Sequence, residues 1–183
     1  MRQELAGRAA LGEADLSAAI HAANRAILQT VAERPDCQGM GTTATILHLD
    51  GDQAWWAHVG DSRLYLLHGG VLHQVTRDHS YVEDLVARGE LTEEEARIHP
   101  RKNVLTRAVG VENDILVDTG RFAIEPGDVL LLATDGLMNM VPEAEMIAIL
   151  SRQEGNAAQA LVDAALASGG RDNVTAIVVV HAS

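Results

Sequence analysis

Three short stretches set an aspartate beside a glycine or a glycine pair at the end of a β-type run: "HVGDSRLY" with Asp61, "LLLATDGL" with Asp135 and "GGRDNVTAIVVV" with Asp172. A carboxylate at the end of a rigid strand loses little further freedom when it binds a metal. Taken alone, each of the three reads first as a turn, since Gly and Asp are what tight turns use. Taken together they would converge wherever their strands lie side by side. An all-oxygen set of that kind suits Mg²⁺ or Mn²⁺, with water filling the remaining positions. The task such paired hard cations suit is in-line hydrolysis of a phosphoryl group, because they lower the pKa of a bound water and clamp a phosphoryl oxygen.

Other chemistries find less support. "GMGTTA", residues 39–44, matches a loose dinucleotide pattern, but a helix and a proline turn precede it and a β-branched run follows, the reverse of what that pattern needs. No Gly-Lys-Ser/Thr occurs, so a P-loop is excluded. The eight histidines include no H-E-x-x-H pair and read as surface or hydrogen-bonded core residues. The single cysteine, Cys37, excludes an intrachain disulfide and a cysteine-based zinc site, and agrees with a reducing compartment.

The elements that must position the aspartates follow from periodicity. Residues 13–33 carry Leu16, Ala19, Ile20, Ala23, Ile27 and Val31 at helical spacing, which predicts an amphipathic helix stopped by Pro35. From Thr42 the pattern turns to short β runs, "TTATILHL", "QAWWAHV", "RLYLLH" and "VLHQV", read as an antiparallel meander. Residues 79–97 are predicted helical, with Thr92 and Glu95 spaced as a capping box, and 98–110 as a loop. Strands over 114–124 and 128–134, helices over about 143–152 and 156–167, and a last strand "VTAIVVVHA" complete the chain. "AIVVV" is apolar at every position, so it should lie centrally with both faces covered. Strand runs separated by helices without strict alternation indicate the α+β class.

Composition sets the outer bounds. With 183 residues and 47% hydrophobic content, one domain with a real core is the default. A net charge of −12, with no five-residue basic cluster, argues against nucleic-acid binding. No window approaches the roughly 20 apolar residues of a membrane span, and no signal-peptide core opens the chain. A cytoplasmic protein without membrane contact is the expectation.

The stretches "GMGTT", "HVGDSRLYLL", residues 78–110, "LLLATDGL" and "GGRDNVTAIVVV" resemble, in order and approximate spacing, the bacterial PP2C-type (PPM) protein serine/threonine phosphatases. The resemblance covers nearly the whole chain. It implies one domain over residues 1–183, an α+β sandwich of two antiparallel sheets flanked by helices. It also implies two core Mn²⁺ or Mg²⁺ sites with Asp135 and Asp172 as ligands, and a weaker third site at Asp61. Residues 77–110 then correspond to a mobile flap beside the substrate groove, in which Asn103 approaches the third metal. The substrates implied are phosphorylated proteins, with a serine/threonine kinase as opposing partner; no residue is assigned as catalytic beyond the ligands.

The 183 residues depart from that family at one point: the strands carrying a phosphate-gripping Arg, a Glu ligand and an Asp-Gly-x-Gly-Gly segment with the bridging Asp do not occur in them. Loss of the shared carboxylate and the anion clamp leads us to expect that this chain, taken alone, is inactive or severely impaired. The alternative role is a PP2C-like module that binds a phosphoprotein or kinase. Absent N-terminal strands would also expose sheet edges, which an edge-to-edge homodimer would cover.

Overall fold

The computed structural model of the chain describes residues 11–152 and 155–182. Helix α1 (Glu13–Glu33) has the boundaries its apolar spacing predicts. The Gly12 N–H donates to the Asp15 carboxylate at 3.1 Å, giving one orphan amide of the first turn a partner. Leu16, Ala19 and Ile20 form its buried face, and the helix stops where Pro35 opens a 3₁₀ turn.

The described residues sort into two compact units, and the chain passes from the first to the second, back to the first and again to the second. The first takes the chain up to Asp61 together with residues 78–123. Its sheet has the order β1 (Ala44–Asp50), β2 (Gln53–Val59), β5 (Asp118–Ala123), all antiparallel, with Asp50 opposite Gln53 and His58 opposite Asp118. Leu16 and Ile20 of α1 pack there with Ala57, Val59, Val109 and Ile115.

The second unit takes residues 62–77 and the chain from Ile124 onward. Its antiparallel sheet runs β4 (Val71–Gln74), β3 (Arg63–His68), β6 (Val129–Ala133), β7 (Ala176–Val180). Helices α4 (Asp135–Met138), α5 (Glu143–Leu150) and α6 (Ala157–Ala167) supply Leu137, Met146 and Leu161 to a core shared with Tyr65, Leu67 and Leu131. At the other end of β3, His68 bonds to the buried Asp128 at 2.7 Å, which raises its pKa.

Two sequence-based expectations need correction. The four β runs from 44 to 74 are not one meander: β2 and β3 belong to different sheets, so Gly60 to Ser62 carries the chain from one sheet to the other. Alternation marks a strand locally, but its partner is chosen by contacts far along the chain, here β5 and β6. Nor is β7 central. Among the described residues it pairs only with β6, and Ile177 and Val180 are 53% and 54% exposed. Ala176 and Val178 pack against the core, so one covered face is enough, and the β-branched residues suit the extended backbone whatever lies beyond them.

Residues 79–97 hold two short helices, α2 (Tyr81–Ala87) and α3 (Glu93–Ile98), the second opening at the Thr92 cap that the sequence marks. The Ser80 hydroxyl caps α2 by accepting the Glu83 N–H at 3.3 Å. The capping box at Thr92 forms as its spacing predicts, with Thr92 N–H donating to Glu95 at 2.8 Å and Glu95 N–H to Thr92 at 3.2 Å. Those bonds hold the Glu95 carboxyl below the usual range. Strand β5 begins later than the predicted 114, because Ile115 and Val117 pack on the core of the first unit ahead of the ladder. No helix among the described residues is long and apolar enough to cross a membrane.

Leu131 is fully buried at the centre of the second core. Leu131→Ala is expected to cost about 2–5 kcal/mol of stability in urea denaturation. A loss below about 1 kcal/mol would mean that this core is not packed as described.

Candidate metal centre

Asp135 and Asp172 are brought to one end of the second sheet. Strands β6 and β7 pair antiparallel with Ala133 opposite Ala176, so the residues that follow β6 lie beside those that precede β7. Hydrogen bonds extend the pairing: Thr134 N–H donates to the Thr175 carbonyl at 3.1 Å and Thr175 N–H to the Thr134 hydroxyl at 3.0 Å. That hydroxyl in turn donates to the Asn173 carbonyl at 3.3 Å. Asp135 opens the one-turn helix α4, which the sequence reading did not anticipate.

Gly136 shows how close the two segments come. A Cβ there would collide with the Asn173 carbonyl oxygen and lie 3.5 Å from Cβ of Asp172. Glycine is therefore required by proximity, and the backbone segments that carry Asp135 and Asp172 run side by side. Asp172 is exposed, and one of its oxygens accepts the Asn173 N–H at 2.7 Å.

Asp61 lies in the first unit, directly after Gly60, whose φ is +114°. A side chain at Gly60 would collide with Thr43. Around it stands a group that sequence reasoning did not single out. His58, fully buried on β2, bonds to the Thr45 hydroxyl at 2.9 Å and to the Gly60 carbonyl at 3.0 Å. His79, buried just ahead of α2, accepts the Gly60 N–H on Nδ1 at 3.1 Å and faces Asp118 with Nε2 at 3.1 Å. Arg107 donates to the other oxygen of Asp118 at 2.6 Å. The sequence places these residues on a strand, in two loops and at a strand start, and no spacing rule joins them.

Burial sets the charge of this group. It lowers the His58 pKa to about 4, helped by the neighbouring His79 ring. His79 is also lowered by burial, against the pull of Asp118. Burial pushes Asp118 up, but its bonds to Arg107 and His79 outweigh that and hold the carboxyl below its ordinary value. Both rings are neutral at pH 7.

Asn103 lies in the turn after α3, one residue before the point where the Tyr81 N–H donates to the Val104 carbonyl at 2.8 Å. Beyond it, Asn24 of α1 pins the loop of residues 110–113: its amide donates to the Glu112 carbonyl at 2.8 Å and its oxygen accepts the Gly110 N–H at 2.6 Å.

The oxygen-only character of Asp135 and Asp172 fits a hard cation. Mg²⁺ is commonly bound by one or two carboxylates, keeping several waters. Among the described residues, no group of three or more His, Cys, Asp or Glu side chains stands close enough to hold a metal by itself.

Two measurements test this geometry. Gly136→Ala is expected to cost about 1–3 kcal/mol in thermal or urea denaturation, and a neutral result would contradict the close approach to Asn173. For His58, the unfolded chain takes up a proton below pH 6.5 while the folded chain resists until about 4. Stability should therefore be flat above that window and fall through it with decreasing pH, by about 3 kcal/mol from His58. His58→Gln should flatten the fall, and an unchanged pH slope would place the proton uptake elsewhere.

A family model described as protein phosphatase 2C matches residues 2–100. The serine/threonine phosphatase stp of Listeria innocua is 43% identical over 166 residues, covering 90% of this chain and 66% of that protein. This chain thus spans just under two thirds of that relative's own length. The solved structure of the Mycobacterium tuberculosis serine/threonine phosphatase PstP/Ppp superposes with a TM-score of 0.89 at 37% identity, over 93% of this chain and 73% of that one. A second, the catalytic domain of serine threonine protein phosphatase PstP in complex with 2 manganese ions, gives 0.84 at 35% identity, over 97% and 75%. With its two antiparallel sheets flanked by helices, and with relatives that match it along most of its length, the chain belongs to the protein phosphatase 2C family.

Proposed function

We propose that this chain serves the hydrolysis of phosphoserine and phosphothreonine in proteins, by way of a metal-activated water. The observation that carries the reading is the meeting of Asp135 and Asp172 at the paired ends of β6 and β7, with Gly136 closing against Asn173. It is supported by the names of the relatives and by the manganese described for a solved neighbour.

In this reading Asp135 and Asp172 hold Mn²⁺ or Mg²⁺, Asp61 serves a third site, and Asn103 contacts it from a flap over residues 77–110. A bound cation of this kind supplies a lowered pKa for water and charge stabilisation at a phosphoryl oxygen. The chain contributes carboxylates on ordered backbone: Asp135 stands at the β6–α4 junction, and an oxygen of Asp172 accepts the Asn173 N–H. Fixed donors bind without a large ordering cost. The two units act as one phosphatase domain, cytoplasmic, opposite a serine/threonine kinase, and the apolar edge of β7 is where a second copy would pair.

A second reading is favoured by one observation. With no cluster of three ligating side chains among the described residues, the locus suits weak metal binding, and the chain would act as a module that binds a phosphoprotein or kinase.

Calorimetric titration with Mn²⁺ separates the readings, with release of phosphate from a phosphothreonine peptide measured alongside. Binding that Asp135→Ala abolishes, accompanied by turnover, supports the enzyme. Binding that Asp135→Ala abolishes without turnover supports the module. Binding unaffected by the substitution removes Asp135 from the ligand set.

A further inference from the structure

The backbone of Gly60 is gripped on both of its polar groups, which belong to the two peptides flanking its Cα, by buried imidazoles. Its N–H donates to Nδ1 of His79 at 3.1 Å; its carbonyl accepts from Nε2 of His58 at 3.0 Å and from the backbone N–H of His79 at 2.7 Å. The rings lie 4.8 Å apart, tilted by 49°. These bonds dictate the tautomers. Because Nδ1 of His79 must accept, its proton sits on Nε2, toward Asp118. Because Nε2 of His58 must donate, its Nδ1 accepts the Thr45 hydroxyl. Asp118 is itself held by Arg107, so the orientation of the His79 ring is set from behind, as a carboxylate sets the tautomer of any histidine it accepts from.

The same residue anchors the segment that follows. The His79 carbonyl accepts the Thr106 N–H at 2.8 Å, and Tyr81 N–H donates to the Val104 carbonyl at 2.8 Å, closing a bridge between Ser80 and Leu105. A residue that only filled space here would not need both ring nitrogens bonded to different elements. At Gly60 the backbone is left-handed and a Cβ would strike Thr43, so no other residue could hold this turn by its own conformation.

We propose that His79, oriented by Asp118, is a positioning residue that couples residues 79–107 to the Gly60–Asp61 turn, so that the two order and loosen together and the segment governs how the Asp61 carboxylate is presented. The functional consequence rests on the reading of Asp61 as a metal ligand; the coupling is a property of the metal-free chain.

The test uses the metal-free full chain and nitrogen NMR. Correlations through the imidazole should show His79 protonated on Nε2 and bare on Nδ1, and a proton on Nδ1 would overturn the proposal even if no variant folds. His79→Gln keeps a donor toward Asp118 but removes the acceptor for Gly60. It is expected to speed amide exchange at Gly60, Tyr81 and Thr106 together by about tenfold, while Leu131 in the second unit stays protected. His79→Asn sets an amide oxygen where Nδ1 stood and should restore protection at Gly60. Faster exchange at Gly60 with Tyr81 and Thr106 as protected as in the parent chain would overturn the coupling. Broadening of the Asp61 and Ser62 resonances by added Mn²⁺ tests the metal reading separately, since coupling without broadening keeps the proposal and removes only the role of Asp61 as a ligand.

Discussion

The antiparallel ladder between β6 and β7 is the constraint on which the candidate centre depends. Leu131 and Val178 are directly paired, and both pack into the core beneath α5 and α6. A slip of one residue would turn Leu131 out of that core, so the register is held by apolar burial. Once Ala133 stands opposite Ala176, the segments beyond them have no choice but to run together, and the Thr134 and Thr175 bonds carry the pairing up to the two aspartates. The two candidate aspartates are thus placed by apolar packing.

Charge is handled differently in the two units. In the first, the Asp118 carboxylate is met by Arg107 and His79, so its charge is balanced within the protein and serves to orient a ring. In the second, the half-buried Asp135 and the exposed Asp172 stand on segments that run side by side, in a chain whose net charge is −12. Carboxylate oxygens of this kind are the donors that a hard cation takes. One arrangement uses an acid for order, and the other leaves the Asp172 side chain open to solvent.

Hydrogen-bond accounting separates them further. Gly60 presents a backbone donor and a backbone acceptor that are both taken by buried rings, and every buried side-chain nitrogen or oxygen among the described residues has a partner. Such a network holds one geometry, because breaking any member leaves a desolvated polar group behind.

What the sequence by itself determined was decided over a few residues: the limits of α1, the capping box of α3, the β character of β1 to β4 and β6, and the placing of Asp135 and Asp172 beside strand ends. Helical and strand periods and cap stereochemistry are local, so they can be read without knowing the partner. The tertiary structure alone decided that β2 and β3 part into different sheets, that β7 takes an edge among the described residues, and that His58 and His79 meet at the backbone of Gly60. Those outcomes depend on which distant segment closes against which. Strand pairing offers nearly the same hydrogen bonds to any partner, and the choice is made by side-chain burial summed over a whole core.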